Sequence, residues 1–223
     1  MSKLADKSYD LAIVDPPYGI GEWGKRNATG DRPNGKWANP KSQIYHRFDD
    51  SKIPSAEYFA ELRRVSKNQI IWGGNHFTQH LPPSKGWIVW DKLADIKEHL
   101  SMCELAWSSF DMKCNKFEYL WAGFKKAEQV ERIHPTQKPV SLYVWLLTHY
   151  AESGWRILDT HMGSGSSIIA AAQAGFEMLA CEIDPKHFAT AVERIGRELK
   201  QQTFAMTPNA EVSHAGPVTP GLG

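Results

Sequence analysis

The sequence has few cysteines, no long apolar run and almost no net charge. Three cysteines occur among 223 residues, and no two of them stand in the Cys-x-x-Cys spacing of a structural zinc site. No apolar run approaches the length of a membrane span, and the polar N-terminus lacks the apolar core of a signal peptide. With a formal net charge of +1, a polyanionic partner could be bound only by a local basic patch. We therefore expect a cytoplasmic protein that holds no metal.

Short apolar runs alternate with segments of helical periodicity along most of the chain. This alternation predicts an α/β fold, a doubly wound and mostly parallel sheet of Rossmann-like architecture. The runs at 104–108 and 117–121 are expected to pair as a hairpin, and a short helix is expected to end at Leu81-Pro82-Pro83. The remaining strands are predicted at 11–14, 68–72, 86–90, 156–158 and 177–181, and the helices at 55–65, 140–150, 166–174 and 185–202.

One domain is expected over 1–202, with a long loop at 19–50 and a disordered, Pro- and Gly-rich tail at 203–223. Between Gly24 and Arg47 the loop has six Lys or Arg and one acid, Asp31. Basic residues interleaved with aromatic ones suit a nucleic-acid backbone and its unstacked bases, although a solvated loop has the same composition. The candidate contacts are Lys25, Arg26, Arg32, Lys36, Trp37 and Arg47.

A polar tetrapeptide, Asp15-Pro16-Pro17-Tyr18, directly follows the first predicted strand. In an open α/β sheet, ligands bind at the carboxyl ends of the strands. Asp15 and the carbonyl of Pro16 can accept hydrogen bonds from an exocyclic amine, and the two prolines fix the backbone. Tyr18 can stack on a flat base. The tetrapeptide therefore suits the amino group of a nucleobase held out of its helix, although a strand end with a proline turn would look alike.

A glycine turn at Asp159 to Ser167 joins a predicted strand to a predicted helix. The free N–H groups of a helix N-terminus can bind a carboxylate, and Asp159 can bind an ammonium, so the turn suits an amino acid. Glu182, at the end of the next strand, can hold ribose hydroxyls. Amino acid plus ribose describes S-adenosylmethionine. NAD is the rival cofactor, but the three-glycine pattern that binds its pyrophosphate is absent.

A third segment, His134-Pro135-Thr136-Gln137-Lys138-Pro139, precedes the helix before the glycine turn. Neither His134 nor His161 has partner ligands at metal-binding spacing, so no metal is expected at either residue.

Together, and in this order, the three segments resemble a β-class amino-group DNA methyltransferase, the permuted class in which the catalytic motif precedes the cofactor motif. The resemblance extends from about Leu11 to Leu199. It implies transfer of a methyl group from S-adenosylmethionine to the N6 amino group of adenine in double-stranded DNA, as in restriction-modification systems. S-adenosylhomocysteine would be the second product. Asp at the start of the motif and Tyr at its end favour adenine.

The resemblance also implies roles for individual residues. Asp15, Pro16, Pro17 and Tyr18 would form the catalytic motif, and the segment from Gln69 to Asn75 would line the pockets. Glu182 would hold the ribose of the cofactor. The other cofactor contacts would be Asp159, Gly163, Ser164, Gly165, Ser166, Ser167, Thr136, Gln137 and Lys138.

The chain departs from this pattern in three places. Family members often have a strand and a Gly-Asp turn before the catalytic strand, where this chain has only ten residues. Thr160-His161 stand where Pro-Phe is usual. No large target-recognition domain fits between Phe124 and Ile133, so recognition would fall to the loop at 19–50, helped by the lysines at 113–116 and 125–126.

Several alternatives stay open. The acceptor could be the N4 of cytosine, RNA adenine or a protein amide. The chain could instead be a catalytically inactive DNA-binding module on the same fold. The pairing of two subunits into a homodimer is also open.

Overall fold

The computed structural model describes residues 1–21, 50–93, 101–122, 125–126, 133–134 and 136–206. Most of the predicted loop and nearly all of the predicted disordered tail lie outside these residues. The elements in chain order are β1 (Tyr9–Val14), α1 (Ala56–Val65), β2 (Ser66–Trp72), a single 3-10 turn (Gly74–His76), β3 (Ile88–Asp91), β4 (Cys103–Ser108), β5 (Asn115–Glu118), β6 (Trp121–Ala122), β7 (Lys125–Lys126), α2 (Val140–Tyr150), β8 (Arg156–Asp159), α3 (Ser166–Ala174), β9 (Glu177–Ala180) and α4 (Pro185–Met206).

Seven strands form one sheet in the order β5-β3-β4-β2-β1-β8-β9. Strand β1 pairs in parallel with β2 and β8, and β8 pairs in parallel with β9. Strand β4 is antiparallel to both of its neighbours, and β5 is parallel to β3. A separate two-stranded ribbon joins β6 and β7. The predicted α/β fold with a mostly parallel sheet is confirmed.

Helices cover both faces of the sheet, which explains why β1 is apolar throughout. Leu11 and Ile13 pack on the face covered by α2 and α3, whereas Ala12 and Val14 pack on the face covered by α1. All four side chains are fully buried or nearly so. A strand buried on both faces shows a continuous apolar run, not an alternating one.

Helix α1 presents one apolar stripe to the sheet. Its buried residues Phe59, Leu62 and Val65 are three apart, which is the spacing of one helix face. Ser55 stands at the N-cap position as predicted, but its hydroxyl makes no capping hydrogen bond. Within the described parts of the chain, no helix is long and apolar enough to cross a membrane.

Three predictions about single elements were wrong. The segments at 104–108 and 117–121 do not pair, because β3 lies between β4 and β5 and bonds to both. Only one 3-10 turn, Gly74–His76, lies between β2 and β3, and no helix ends at Leu81, because Gly73 and Gly74 have low helix propensity and Pro82 and Pro83 lack the backbone donors of a helix. Helix α4 continues past the predicted end at Gln202 to Met206.

The chain reverses its direction of winding between β1 and β8. From β1 it continues through α1 to β2 on one side, and from β8 it continues through α3 to β9 on the other. Loops that leave two adjacent parallel strands in opposite directions open a crevice at their carboxyl ends. Asp15 directly follows β1, and Asp159 is the last residue of β8, so both acids lie at this crevice.

Candidate active site

The tetrapeptide Asp15-Pro16-Pro17-Tyr18 begins with a carboxylate that already has two partners. The hydroxyl of Tyr18 donates to Oδ1 of Asp15 at 2.7 Å, and Nζ of Lys138 donates to Oδ2 at 2.5 Å. Burial raises the pKa of Asp15 above its usual value, against the opposing effect of the Lys138 ammonium. Asp15 is therefore a desolvated acceptor whose orientation is fixed from both sides.

The ring of Tyr18 is held by the turn after β2. It stacks on His76 with ring centroids 5.1 Å apart and contacts Phe77 edge-on. Gly73 adopts φ 69° directly beside this ring, and any side chain there would overlap the Tyr18 ring atoms. Of the segment predicted to line the pockets, Trp72 and Gly73 reach the catalytic cluster. Gln69 does not, because its amide is buried and donates to Ser66.

Asp50 fastens the tetrapeptide to the far end of the long loop. Its Oδ1 accepts the backbone N–H groups of Tyr18 at 2.6 Å and Gly19 at 3.2 Å. Its carbonyl accepts the N–H of Gly21 at 2.9 Å. Burial raises the pKa of the Asp50 carboxyl. The two ends of segment 22–49 therefore meet beside Tyr18.

The glycine turn after β8 is built around a buried carboxylate. Asp159 is 1% exposed, accepts the N–H of His161 on Oδ1 and accepts the hydroxyl of Ser167 on Oδ2. Burial raises the pKa of Asp159 to about 7, although both hydrogen bonds act in the opposite direction. A ligand ammonium would favour the ionised form of this group.

Two contacts close the turn from outside. Glu182, just after β9, accepts the N–H of Gly163 on its carboxylate at 3.0 Å. Arg194 of α4 donates to the carbonyl of Ser164 and the hydroxyl of Ser166, both at 2.9 Å. Gly165, at φ 77°, caps helix α3, and a Cβ there would lie 2.7 Å from a side-chain atom of α4. The free N-terminus of α3 thus faces the crevice at a fixed position.

Thr160 and His161, the residues that replace Pro-Phe, form a polar cluster with Tyr58 of α1. The hydroxyl groups of Tyr58 and Thr160 lie 2.7 Å apart, and Nδ1 of His161 lies 3.0 Å from Oγ1 of Thr160. Burial lowers the pKa of His161 to about 4, so the ring is neutral near pH 7. This cluster, together with the edge-on contact between the rings of Tyr58 and His161, links the glycine turn to α1.

The segment before α2 meets both halves of the site. The Lys138 carbonyl accepts the hydroxyl of Ser166, and its side chain reaches Asp15. Gln137 is buried and accepts the N–H of Ile133 with its side chain, while Thr136 donates its N–H to Nδ1 of His134. The assignment of Thr136, Gln137 and Lys138 to the cofactor stays a prediction. No three His, Cys, Asp or Glu side chains converge on a metal-sized site among the described residues.

Three charged residues at the site had no place in the sequence-based prediction. Glu104 of β4 accepts Lys138 on Oε2 at 3.0 Å and Lys92 on Oε1 at 2.7 Å. An acid inside the apolar strand Cys103–Ser108 is a signal that could have been noticed. Nothing in the sequence marks Asp50 or Lys92. The predicted DNA contacts Lys25, Arg26, Arg32, Lys36, Trp37 and Arg47 all lie outside the described residues.

The fold and the site define a Rossmann-like methyltransferase, with an amino-acceptor motif and a glycine turn on adjacent parallel strands. A family model described as DNA methylase, of the N6/N4 methyltransferases, matches residues 89–193. The matched segment includes the Lys138 segment and the glycine turn, and this part of the chain resembles the family. The predicted class, a DNA methyltransferase that uses S-adenosylmethionine, is therefore confirmed.

Relatives of known name span nearly the whole chain. The Type II methyltransferase M2.DpnII of Streptococcus pneumoniae is 23% identical, over 89% of this chain and 86% of the relative. M2.LlaDCHI of Lactococcus lactis subsp. cremoris, also a Type II methyltransferase, is 21% identical over 88% and 86%.

Solved structures share the fold at low identity. The M1.HpyAVI–SAM complex has a TM-score of 0.52 and 16% identity, covering 84% of this chain and 89% of the other. PvuII DNA methyltransferase, which is cytosine-N4-specific, has a TM-score of 0.51 and 10% identity, covering 90% and 87%.

Proposed function

We propose that the chain transfers the methyl group of S-adenosylmethionine to the N6 amino group of adenine in double-stranded DNA. The observation that carries this proposal is the position of two acids at one crevice. Asp15 follows β1, Asp159 ends β8, and the two strands pair directly in parallel. An amino-group acceptor and a site for the methionine of the cofactor therefore share one opening, as methyl transfer between two bound ligands requires.

The residues of the tetrapeptide account for the chemistry. The lone pair of an exocyclic amine is delocalised into the ring, so this nitrogen is a poor nucleophile. Asp15 and the Pro16 carbonyl would accept its two hydrogens, which favours a pyramidal nitrogen with its lone pair free. Preorganised acceptors stabilise the positive charge that develops on nitrogen as the bond to carbon forms. The methyl–sulfur bond would break as the methyl–nitrogen bond forms, leaving S-adenosylhomocysteine as a neutral thioether. The methylated nitrogen would then give its proton to water, and no covalent enzyme intermediate is needed.

The donor set around the glycine turn fits the cofactor. S-adenosylmethionine supplies a methyl group made electrophilic by its sulfonium. Asp159 would bind the ammonium and the N-terminus of α3 the carboxylate, while Glu182 would bind the ribose hydroxyls. The backbone around Gly163, Ser164 and Gly165 would line the methionine, together with Ser166 and Ser167. Thr136, Gln137 and Lys138 would close this pocket.

DNA would reach the site along the loop. Gly21 and Asp50, which flank segment 22–49, lie beside Tyr18, and this position of the flanks supports the loop as the DNA contact. Tyr18 would stack on the flipped adenine, whose unstacking costs a few kcal/mol. We expect the chain to meet its DNA in the cytoplasm. Pairing of two subunits stays a prediction.

The experiment is methyl transfer from labelled S-adenosylmethionine to unmethylated DNA, followed by nucleoside analysis. N6-methyldeoxyadenosine is the expected product. N4-methyldeoxycytidine would overturn the choice of adenine while keeping the reaction. No methylated nucleoside, with cofactor binding retained, would exclude DNA as the acceptor and direct the test to RNA and protein. Loss of both would favour the inactive DNA-binding module.

Asp15→Ala should reduce methyl transfer by at least about a hundredfold, because one amino-group hydrogen would lose its charged acceptor and only the Pro16 carbonyl would remain. Cofactor affinity should stay within about threefold, since Asp159 and the glycine turn are untouched. Asp10→Ala is the matched control, because Asp10 lies in β1, near the end of the strand remote from Asp15, and pairs with Lys67. Full activity of Asp15→Ala would contradict the mechanism.

A further inference from the structure

The carboxylate of Asp15 stands at one end of a row of four alternating charges. Asp15, Lys138, Glu104 and Lys92 form a chain of contacts at 2.5, 3.0 and 2.7 Å. They come from four places in the sequence: the ends of β1 and β3, the strand β4 and the segment before α2. Four separate segments therefore bring these charges together. Burying each charge costs free energy unless an opposite charge compensates it.

The ammonium of Lys138 lies between the two carboxylates of this row of contacts. Its side chain is only 4% exposed, and Nζ lies 5.3 Å from the centroid of Trp72 and 5.8 Å from that of Tyr18. The aromatic faces and two carboxylates enclose the cation. Burial tends to lower the pKa of Lys138, but Asp15 and Glu104 outweigh it and raise the pKa above its usual value. Lys138 is therefore an ammonium in the folded protein.

A single Lys–Asp pair would weaken the acceptor it orients. An ammonium bound to one carboxylate draws charge from it and makes it a poorer acceptor for a substrate amine. A second carboxylate on the same ammonium shares that charge. Burial acts to raise the pKa of Glu104, yet Lys138 and Lys92 lower it to about 2, so Glu104 remains ionised.

We propose that Lys138 and Glu104 are positioning residues for Asp15: Lys138 fixes the rotamer of the carboxylate, and Glu104 shares the Lys138 charge so that Asp15 stays a strong amino-group acceptor. Lys92 holds Glu104 in turn. This inference rests on the proposed function, because the role of Asp15 as an acceptor comes from there. In this role Lys138 acts near the reacting nitrogen, whereas the family resemblance implies that it contacts the cofactor.

The two neighbours act on Asp15 in opposite directions, which makes the inference testable. Lys138 lowers the pKa of Asp15, whereas Glu104 raises it. Tyr18 also donates to Asp15, and the other ionisable groups whose charges act across this space are Asp50, Asp159, Tyr58 and Tyr143. These groups stay unchanged when Lys138 or Glu104 is replaced.

The first measurement is the carboxyl titration of Asp15 by carbon-13 NMR in the full chain without substrates, assigned by the signal lost in Asp15→Ala. Lys138→Met should shift the Asp15 titration to higher pH, and Glu104→Gln should shift it to lower pH. Lys67→Met removes the Lys67–Asp10 pair near the amino-terminal ends of β1 and β2. This change should leave the Asp15 titration in place. Shifts in the same direction, or no shift, would overturn the proposal.

The second measurement is the single-turnover methylation rate of the same variants across pH. Lys138→Met should lose at least about tenfold and move the acid limb of the profile to higher pH, with Lys138→Arg recovering part of the rate. Cofactor affinity should change by less than about threefold. A loss of affinity with an unmoved acid limb would return Lys138 to the cofactor site. If the wild-type chain methylates no DNA, the NMR titration still decides the charge arrangement, so the two failures remain distinguishable.

Discussion

Gly73 determines whether the ring of Tyr18 can occupy the site. Its positive φ lets the chain turn at once after β2, and its missing side chain leaves room for the tyrosine ring. Lys138 and Asp15 contact the hydroxyl of the same tyrosine. A displacement of the ring would therefore disturb the base-stacking surface and the acceptor together.

Gly73→Ala should reduce methyl transfer by at least about tenfold, because the new Cβ overlaps the Tyr18 ring. Gly154→Ala is the matched control: Gly154 has φ 84°, and nothing lies within 4 Å of a Cβ placed there. Both variants should lose about 1 kcal/mol of stability from the unfavourable φ, but only the first should lose activity. Equal activities, measured beside thermal unfolding, would contradict this account of Tyr18.

Prediction from the sequence was least complete for single residues of the site. Asp15 and Asp159 could be recognised because each follows an apolar run, where a strand must end. Asp50 and Lys92 could not, because their importance depends on which segments meet in space. The site predicted from sequence therefore contained Asp15 with its two contacts Tyr18 and Lys138, but lacked Glu104, which binds Lys138 in turn.

At the scale of elements, the turn between β8 and α3 buries the carboxyl group of Asp159. This burial raises its pKa and so favours the neutral form. The folded protein holds the Asp159 pKa near 7, above the usual 3.8, so ionising this group costs folding free energy. A carboxyl with a raised pKa contributes most stability at low pH, where it is protonated, and loses it as pH rises through the folded value.

Wild-type stability should therefore fall between about pH 4 and about pH 7 relative to Asp159→Asn, by up to about 4 kcal/mol. The amide variant keeps the size of the side chain, and the Ser167 hydroxyl can rotate to accept from it. Chemical denaturation of both proteins across this pH range provides the measurement. Parallel stability curves would show that Asp159 ionises normally.

Most elements could be predicted because their apolar period is set by burial on a sheet face. The strands β1, β2, β8 and β9 and all four helices lie close to the predicted positions. The neighbours of β4 and β5 in the sheet could not be predicted, since an alternating pattern shows which face of a strand is buried and not which strand lies beside it. The wrong prediction between β2 and β3 was the short helix ending at Leu81, where the described residues have only the 3-10 turn Gly74–His76.

For the molecule as a whole, the proposed DNA surface lies at the carboxyl edge of the parallel strands. The flanks of segment 22–49 meet there, beside Tyr18. The amino-terminal ends of the strands also carry exposed cations. These are Lys3, Lys67 and Lys85, near the starts of β1, β2 and β3. The formal net charge of the chain is only +1. Affinity for DNA should therefore depend on the positions of the cations and not on the net charge.

Replacing Lys25, Arg26 and Arg32 by Gln should weaken DNA binding and reduce the slope of log affinity against log salt by up to about 3, roughly one unit for each lost phosphate contact. The same change at Lys3, Lys67 and Lys85 should leave the slope unaltered. Binding titrations over a range of salt concentrations test both sets. An unchanged slope in the loop variant would reject the loop as the DNA surface.

The pairing of β1 with β8 also has a consequence for protein synthesis. The strand β1 leaves the ribosome before most of the sheet, but its partner β8 is among the last strands of the sheet to emerge. Long-range pairing of this kind forms late, after most of the chain is available. A product that stops before β8 therefore lacks the crevice between the two strands.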